Sequence, residues 1–219
     1  MKIATWNIDR LKSLSKSSGI IRNLKEIDAD ILILTEYNKL LHLPYYQYKV
    51  ETNKILDNQY NYKETETRVA IFSKFPIRQI FKTYDNQTSC CAEFETDFGN
   101  LIVYGTIVGI VGNSDKNFKA DLIKQTEDIE SLSKLGSFCY SGDLNISFSD
   151  NYYFTQFGRE KFLESFRNNR LTNLTGNLKE NIDHIIISED FIKNLNHEIS
   201  EWNTSKNLSD HKGVLLELK

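Results

Sequence analysis

The stretch SGDLN, residues 141–145, carries the first indication of both the fold and the site. It follows the apolar residues 138–140 and ends in a polar segment, as a buried strand does when its last residues reach a site. Asp143 and Asn145 are two positions apart, so on an extended chain their side chains point the same way. A carboxylate and an amide placed like this can hold one water and one phosphate oxygen. Taken alone, however, the stretch also fits an ordinary Asp-Asn turn.

Composition limits the classes of protein that this chain can belong to. It has 219 residues, of which 40% are hydrophobic and 12% aromatic, which is enough for a packed core. The formal net charge is −3 and there is no basic run, which argues against binding of nucleic acid by charge alone. An enzyme that meets phosphate through metal ions remains compatible with this charge.

The cysteines and the apolar runs indicate the expected compartment. The three cysteines, Cys90, Cys91 and Cys139, have no CxxC spacing, so we expect reduced thiols and no cysteine zinc site. The first ten residues lack a long apolar region, and no run approaches the roughly 20 residues of a membrane span. We therefore expect a cytoplasmic protein without a membrane span. The oligomeric state is not indicated.

The pattern of apolar residues predicts more strands than helices. Strands are expected at residues 2–8, 31–34, 68–73, 90–96, 101–108, 182–187, 195–202 and 213–218, besides the one that ends in SGDLN. Helices are expected from a serine cap at 15–18 to about residue 27, over 115–135 and over 157–170. Hairpins mixed with helical crossovers favour an α/β fold, with two mixed β-sheets packed face to face and flanked by helices. We expect one domain over residues 1–219.

Polar residues recur where the apolar strands begin or end. Five stretches show this pattern: TWNID at 5–9, LTE at 34–36, GDLN at 142–145, NIDH at 181–184 and SDH at 209–211. In this order and spacing they resemble the endonuclease/exonuclease/phosphatase superfamily, which has the DNase I-like fold. Residues 68–77, RVAIFSKFPI, resemble the strand and turn before the central hairpin of that family.

The resemblance implies a four-layered α/β-sandwich and a phosphoesterase that depends on Mg²⁺ or Mn²⁺. Glu36 would be the principal metal carboxylate, with Asn7 beside it, and Asp9 and Asp210 would hold the same ion or a second one. Such oxygen ligands suit hard cations. Each of these residues, taken singly, is also compatible with an ordinary exposed or capping role.

The resemblance also implies the catalytic residues. Asp143 would orient and deprotonate the attacking water, with Asn145 alongside. His211 would contact the phosphate, and Asp183 would hold the other ring nitrogen of His211. His184, which follows Asp183, is expected to be structural.

One family position differs in this sequence. Many members carry a histidine at the end of the return strand of the hairpin, and here that position falls on Thr106, within one residue. Tyr104 is the alternative for this substrate-binding role, to which Asn7 would also contribute. Abasic-site enzymes have an aromatic residue three positions before the aspartate of NID. Here that residue is Glu180, so we do not expect an abasic-site repair enzyme.

The sequence thus favours a metal-dependent nuclease that hydrolyses DNA or RNA. The alternative is a phosphatase or phosphodiesterase of a small-molecule or lipid phosphoester, which the acidic net charge mildly favours. A catalytically inactive interaction module is a third hypothesis, and the retained GDLN and SDH stretches argue against it.

Overall fold

The computed structural model describes residues 1–55, 61–109, 111–114 and 116–219. The strands in this part of the chain are β1 (Lys2–Asn7), β2 (Ile31–Asn38), β3 (Tyr48–Glu51), β4 (Glu66–Ser73), β5 (Ile77–Phe81), β6 (Ser89–Thr96), β7 (Gly99–Ile107), β8 (Phe138–Asp143), β9 (Leu171–Asn173), β10 (Asp183–Ser188), β11 (His197–Trp202) and β12 (Gly213–Leu218). They form two six-stranded sheets, ordered β11-β12-β1-β2-β4-β3 and β5-β6-β7-β8-β10-β9. The pairs β1–β2 and β7–β8 are parallel, and the other pairs are antiparallel.

Helices connect the strands and cover the outer faces of the sheets. They are α1 (Ser17–Ile27), α2 (Phe118–Leu132), α3 (Gln156–Asn168) and the short α4 (Glu189–Ile192), with 3₁₀ turns at Asp9–Leu11 and Leu14–Lys16. No helix in the described residues is long and apolar enough to cross a membrane.

Three apolar layers follow from the alternation of side chains along the strands. The layer between the sheets contains inner-facing residues such as Ile3, Ile33, Val103 and Ile185. A second layer packs the outer face of the first sheet against α1. The third packs the outer face of the second sheet against α2 and α3. This arrangement of helix, sheet, sheet and helix confirms the predicted four-layered α/β-sandwich.

Some predicted element bounds need correction. Strand β2 does not end at the Thr35–Glu36 pair but continues to Asn38. Helix α1 begins near the predicted serines, but no side chain caps it. Helix α2 is shorter at both ends than residues 115–135, and the predicted start at Asp115 lies outside the described residues. Strand β9 and helix α4 were not predicted.

Strand alternation also brings the polar strand ends together. Residues of equal parity on a strand share a face. Asn7 therefore continues the inner face that contains Ile3, and Asp143 continues the face that contains Cys139. Strand β10 pairs with β8 so that Asp183 lies opposite Asp143. The inner faces of both sheets thus deliver polar residues to one edge of the sandwich.

Candidate active site

A polar cleft lies at this edge, between the ends of the two sheets. Its lining includes most of the predicted site residues, which the fold gathers from distant parts of the sequence. The residues around the cleft are Asn7, Asp9, Arg10, Lys12, Glu36, Ile107, Val111, Gly112, Asp143, Asn145, Tyr153, Asp210 and His211. An adjoining pocket shares several of them and adds Tyr152, Glu180, Asn181, Ile182, Asp183, Lys206 and Lys212.

Asp143 is held at the end of β8 by hydrogen bonds to both carboxylate oxygens. The Asn7 side-chain amide donates to Oδ2 at 3.0 Å, and the backbone N–H of Asn145 donates to Oδ1 at 3.0 Å. The preceding residue, Gly142, has φ +139°, and a Cβ built there would lie 2.0 Å from the Thr106 carbonyl oxygen. Only glycine fits at this position, so β8 can approach β7 closely and bring Asp143 to the cleft.

Burial gives Asp143 unusual acid–base properties for a carboxylate. The side chain is only 3% exposed. Loss of hydration raises the pKa of Asp143, and the nearby Asp183 charge raises it further, while His211 and the donors on Asp143 oppose the shift. A carboxylate with a raised pKa accepts a proton more readily than an exposed one, so Asp143 is suited to act as a general base.

His211 and Asp183 form a close pair on the same side of the cleft. His211 Nδ1 lies 2.6 Å from Asp183 Oδ2, and the Asp183 side chain is 1% exposed. Burial alone would lower the pKa of His211, but the charges of Asp183 and Asp143 outweigh it and raise this pKa to about 10. The imidazole is therefore positively charged at neutral pH, and its contact with Asp183 is the one predicted from the sequence.

The loop before β12 is tied to β1, and this tie positions His211. Ser209 Oγ donates to the Asn7 carbonyl oxygen at 2.6 Å and accepts from the His211 N–H at 3.2 Å. The indole N–H of Trp6 and the side-chain amide of Asn203 both donate to the His211 carbonyl oxygen. The serine of the SDH stretch therefore ties the loop before β12 to the end of β1 in the first sheet, and His211 of that loop reaches Asp183 of the second sheet.

The opposite side of the cleft is built mainly from charged groups. Glu36 follows the inner-facing Thr35 in β2 but adopts φ +48°. Its Oε2 lies 3.8 Å from Arg10 Nε, and burial raises the pKa of Glu36 although Arg10 opposes the shift. Asp9 contacts Lys12 through Oδ1, and Asp210 is exposed at the rim.

Three side-chain ligand atoms, one each from Asp143, Asp183 and His211, lie within 4.8 Å of one another. This spacing permits a metal ion, but these atoms also bind one another or donors of the fold. Asp183 Oδ1 is the exception, since it is buried and has no hydrogen-bond partner among the described residues. It is thus the open acceptor of this acidic cluster.

Comparison with known proteins identifies the family. The sequence matches the Endonuclease/Exonuclease/phosphatase family over residues 4–211. This chain belongs to that family. Its members are hydrolases that act on phosphoesters and generally depend on a divalent metal. No curated protein sequence matches the chain significantly.

Solved structures with similar folds include several proteins of this family. A variant of the 3′ phosphatase NExo from Neisseria, bound to a product DNA hairpin, is 18% identical with TM-score 0.73, covering 100% of this chain and 99% of that one. An AP endonuclease from Archaeoglobus fulgidus is 14% identical with TM-score 0.74, covering 100% and 99%. The endonuclease domain of the retrotransposon TRAS1 is 13% identical with TM-score 0.71, covering 100% and 98%. At these identities the likeness shows the fold alone.

The structure contradicts the prediction that Thr106 or Tyr104 fills the position of the family histidine. Both side chains point from β7 toward α2, away from the cleft. Tyr104 donates to Asp128 Oδ2 at 2.8 Å, and Thr106 Oγ1 donates to Gln125 Oε1 at 2.9 Å. The β7 residue that lines the cleft is the apolar Ile107.

His184 is structural in this member of the family, and Asn145 is fixed by the loop after β7. His184 Nε2 donates to the Ile146 carbonyl oxygen, and burial lowers its pKa to about 4, so the ring stays neutral. The Asn145 amide donates to the carbonyl oxygens of Val108 and Gly109. This leaves Asn145 Oδ1 on the side that faces Gly112.

Sequence reasoning missed three residues with polar side chains that line the cleft, Arg10, Lys12 and Tyr153, besides Ile107, Val111 and Gly112. Arg10 and Lys12 lie within three residues of the end of the TWNID stretch, and this closeness to a predicted site stretch was the signal that could have identified them. Tyr153 lies in the loop after β8 and accepts a hydrogen bond from the Asn113 N–H. Nothing in the local sequence distinguishes Tyr153 from the other tyrosines of the chain.

Proposed function

We propose that this protein is a divalent-metal-dependent phosphodiesterase, and specifically a nuclease that hydrolyses DNA or RNA, with residues 1–219 as one catalytic domain. The observation that carries the proposal is the pairing of two opposite groups in one cleft. Asp143 is a buried carboxylate with a raised pKa, and His211 is an imidazole kept charged by Asp183. Hydrolysis of a phosphodiester needs a base for water and positive charge for the phosphate oxygens.

A set of oxygen ligands in the cleft fits a divalent cation by its chemistry. Glu36, Asp9, Asp210 and Asn7 are all oxygen donors, and their set contains no sulfur or imidazole. Mg²⁺ and Mn²⁺ prefer such donors. The raised pKa of Glu36, caused by burial and increased by Asp9, marks a carboxylate whose charge lacks full compensation. When bound there, the ion would supply Lewis-acid polarisation of the phosphoryl oxygen.

The protein groups have distinct roles in the proposed reaction. Asp143, held by Asn7 and by the Asn145 backbone, accepts the proton of a water while the water oxygen forms a bond to phosphorus. The bond from phosphorus to the leaving oxygen breaks, and that oxygen keeps the bonding electron pair and takes a proton from water. His211 donates a hydrogen bond to a non-bridging oxygen as negative charge increases there. Asp183 keeps the imidazole charged and oriented.

Two observations favour nucleic acid as the substrate. The similar structures include proteins named as a 3′ phosphatase bound to DNA, an AP endonuclease and a retrotransposon endonuclease. In addition, the pocket next to His211 carries Tyr152, which is 49% exposed, with Lys206 Nζ 4.8 Å from its ring centre. An exposed aromatic ring beside a cation suits a base and its phosphate.

The proposal is tested by incubating the protein with supercoiled plasmid, single-stranded RNA and bis-p-nitrophenyl phosphate, each with Mg²⁺, Mn²⁺ or EDTA. We expect metal-dependent cleavage of plasmid or RNA and no cleavage in EDTA. Turnover of the model diester with intact polymers would instead support the small-molecule or lipid phosphoesterase. Absence of any metal-dependent turnover would refute the proposed activity.

A further inference from the structure

An unusual backbone turn places Arg10 in the cleft. Asp9, Arg10 and Leu11 have φ values of +49°, +54° and +55°, in the left-handed region that non-glycine residues rarely adopt. Neighbouring groups hold the turn: the Asn38 amide donates to the Arg10 carbonyl oxygen at 2.9 Å, and Leu11 is buried. Such strain persists where the surroundings determine it and is concentrated at functional sites. The position of the Arg10 backbone at the edge of the cleft is therefore built into the fold.

The Arg10 guanidinium is a loose partner of Glu36. Arg10 Nε lies 3.8 Å from Glu36 Oε2, and Arg10 Nη1 lies 4.0 Å from Glu66 Oε2. Both distances exceed hydrogen-bond length, so these are contacts between charges and not a locked bidentate pair. The guanidinium carbon lies 4.9 Å from the centre of the Tyr62 ring, a cation–π contact that supports the planar group from one side.

Strand β7 contributes no charged hydrogen-bond donor to the cleft. Ile107 is the β7 residue that lines the cleft, and the hydroxyls of Tyr104 and Thr106 are bound to α2. The cationic residues in the described lining are Arg10, Lys12 and His211. Lys12 contacts Asp9, and His211 contacts Asp183 at 2.6 Å. Of the three, Arg10 has the longest contact with its carboxylate partner and the planar fork that suits phosphate.

We propose that Arg10 exchanges partners during the reaction. Without a divalent ion it is the counter-charge of Glu36, and when the ion binds that carboxylate the guanidinium turns to the non-bridging oxygens of the substrate phosphate. Only the contact of Arg10 with the substrate phosphate rests on the proposed function. The competition between Arg10 and the ion for Glu36 does not. It makes Arg10 a substrate-binding residue that also competes with the metal for Glu36.

The exchange predicts opposite effects of one substitution on two affinities. Replacing Arg10 by Met removes the competing cation, so Mn²⁺ should bind Glu36 about two- to five-fold more tightly, in line with a partly exposed ion pair. The same change removes a charged hydrogen-bond donor to phosphate. The KM of Arg10→Met for bis-p-nitrophenyl phosphate should therefore be about 10–100-fold higher than that of the wild-type protein. A residue that only stabilised the fold would not tighten metal binding.

The test compares Arg10→Met and Arg10→Lys with the control Lys134→Met. Lys134 pairs with Glu130 at 2.9 Å near the end of α2, so its loss removes one charge and one ion pair away from the cleft. Mn²⁺ binding to the substrate-free protein is measured by calorimetry, and kcat and KM with bis-p-nitrophenyl phosphate. Circular dichroism confirms that each variant is folded. Arg10→Lys keeps the charge but not the fork, so we expect Mn²⁺ affinity close to wild type with a raised KM.

Unchanged or weaker Mn²⁺ binding in Arg10→Met, relative to Lys134→Met, would overturn the inference. So would an unchanged KM in an active Arg10→Met protein. If the wild-type protein hydrolyses no phosphodiester, the proposed activity fails, and the Mn²⁺ measurement alone still decides whether Arg10 competes for Glu36.

Discussion

The two walls of the cleft are built by different physical means. On one wall, Asp143, Asp183 and His211 are held at 2.6 to 3.0 Å by hydrogen bonds to one another, to Asn7 and to the backbone. On the other wall, Glu36 has a charge contact with Arg10 at 3.8 Å and lies on a left-handed residue. The first wall is a network with defined geometry, and the second is a set of charges with looser geometry.

This difference separates preorganisation from ion binding. Groups that act on the reacting atoms gain from being fixed before the substrate arrives, because no reorganisation is then needed during the reaction. Groups that hold an ion need negative charge that the fold has not already neutralised. We therefore expect substitutions in the first wall to lower kcat with little effect on metal affinity, and substitutions in the second wall to change metal affinity.

The largest effect is expected for Asp143→Asn. Loss of the general base should lower kcat up to about 10⁴-fold, the upper end for acid–base catalysis. Mn²⁺ affinity should change less than about two-fold, since Asp143 is not one of the ligands proposed here. Steady-state kinetics and calorimetry measure the two quantities. If Asp143→Asn abolishes Mn²⁺ binding, Asp143 is a ligand and the division between the walls is wrong.

Asp128→Asn is the matched control for this substitution. Asp128 is another carboxylate whose pKa is raised by burial, but it accepts hydrogen bonds from Tyr104 and the Tyr84 N–H outside the cleft. It should lower stability and leave kcat unchanged. An unchanged kcat in Asp128→Asn would show that loss of a buried carboxylate with a raised pKa does not by itself lower kcat. The effect at Asp143 would then depend on its place in the cleft.

A smaller effect is expected from the pair Asp183 and His211. His211→Ala should lower kcat about 10²–10³-fold, as loss of one transition-state donor does. Asp183→Asn should lower kcat too, because the imidazole loses its orientation and its charge. The double variant should lose little more than His211→Ala, since residues that act as a unit lose most of their effect once. Losses that add in log rate would show independent roles.

The same pair gives a signal in NMR. The charge of Asp183 raises the pKa of His211, so Asp183→Asn should move the imidazole titration from about 10 toward the ordinary value near 6.5. The His184 titration should remain lowered, because burial causes that shift. The two histidines therefore serve as test and internal control in one spectrum.

Glu36→Gln should act mainly on the ion. Removal of the carboxylate should weaken Mn²⁺ binding by at least about 10–100-fold, the range for loss of even an outer-shell partner. Activity should recover in part at high Mn²⁺. Glu51→Gln, which removes a carboxylate paired with Lys39 and Lys49, is the control. If calorimetry shows the same Mn²⁺ affinity in Glu36→Gln as in the wild-type protein, the ion binds elsewhere. Asp183 Oδ1 is then the next candidate ligand.

The sequence predicted the first wall better than the second. Asn7, Asp143 and Asp183 lie at the ends of buried strands, so strand alternation and pairing bring them together once the motifs are recognised. Glu36 and Arg10 depend on left-handed backbone conformations, which depend on the surrounding fold and have no local sequence signal here. The second wall was therefore predicted only through the family resemblance, and Arg10 was missed.

Strand β7 shows why the histidine replacement was predicted wrongly. Residues 101–107 are all buried, on the inner face against the other sheet and on the outer face against α2. A strand buried on both faces lacks the apolar and polar alternation that would reveal which residues face the cleft. Tyr104 and Thr106 share their parity with Ile102, which faces the helices.

The smallest effect on activity is therefore expected from Tyr104→Phe and Thr106→Val. Each removes a buried hydroxyl that binds α2, to Asp128 and Gln125 respectively. Each change should lower the free energy of unfolding by about 1–3 kcal/mol, because a buried acceptor loses its donor. Since neither hydroxyl reaches the cleft, kcat and KM should stay within about two-fold of wild type. Urea unfolding and steady-state kinetics measure the two expectations. A large loss of kcat at unchanged stability would instead place one of these hydroxyls on the substrate, as the sequence alone had indicated. Strand β7 would then contribute a substrate-binding hydroxyl to the cleft in addition to the groups of the two walls.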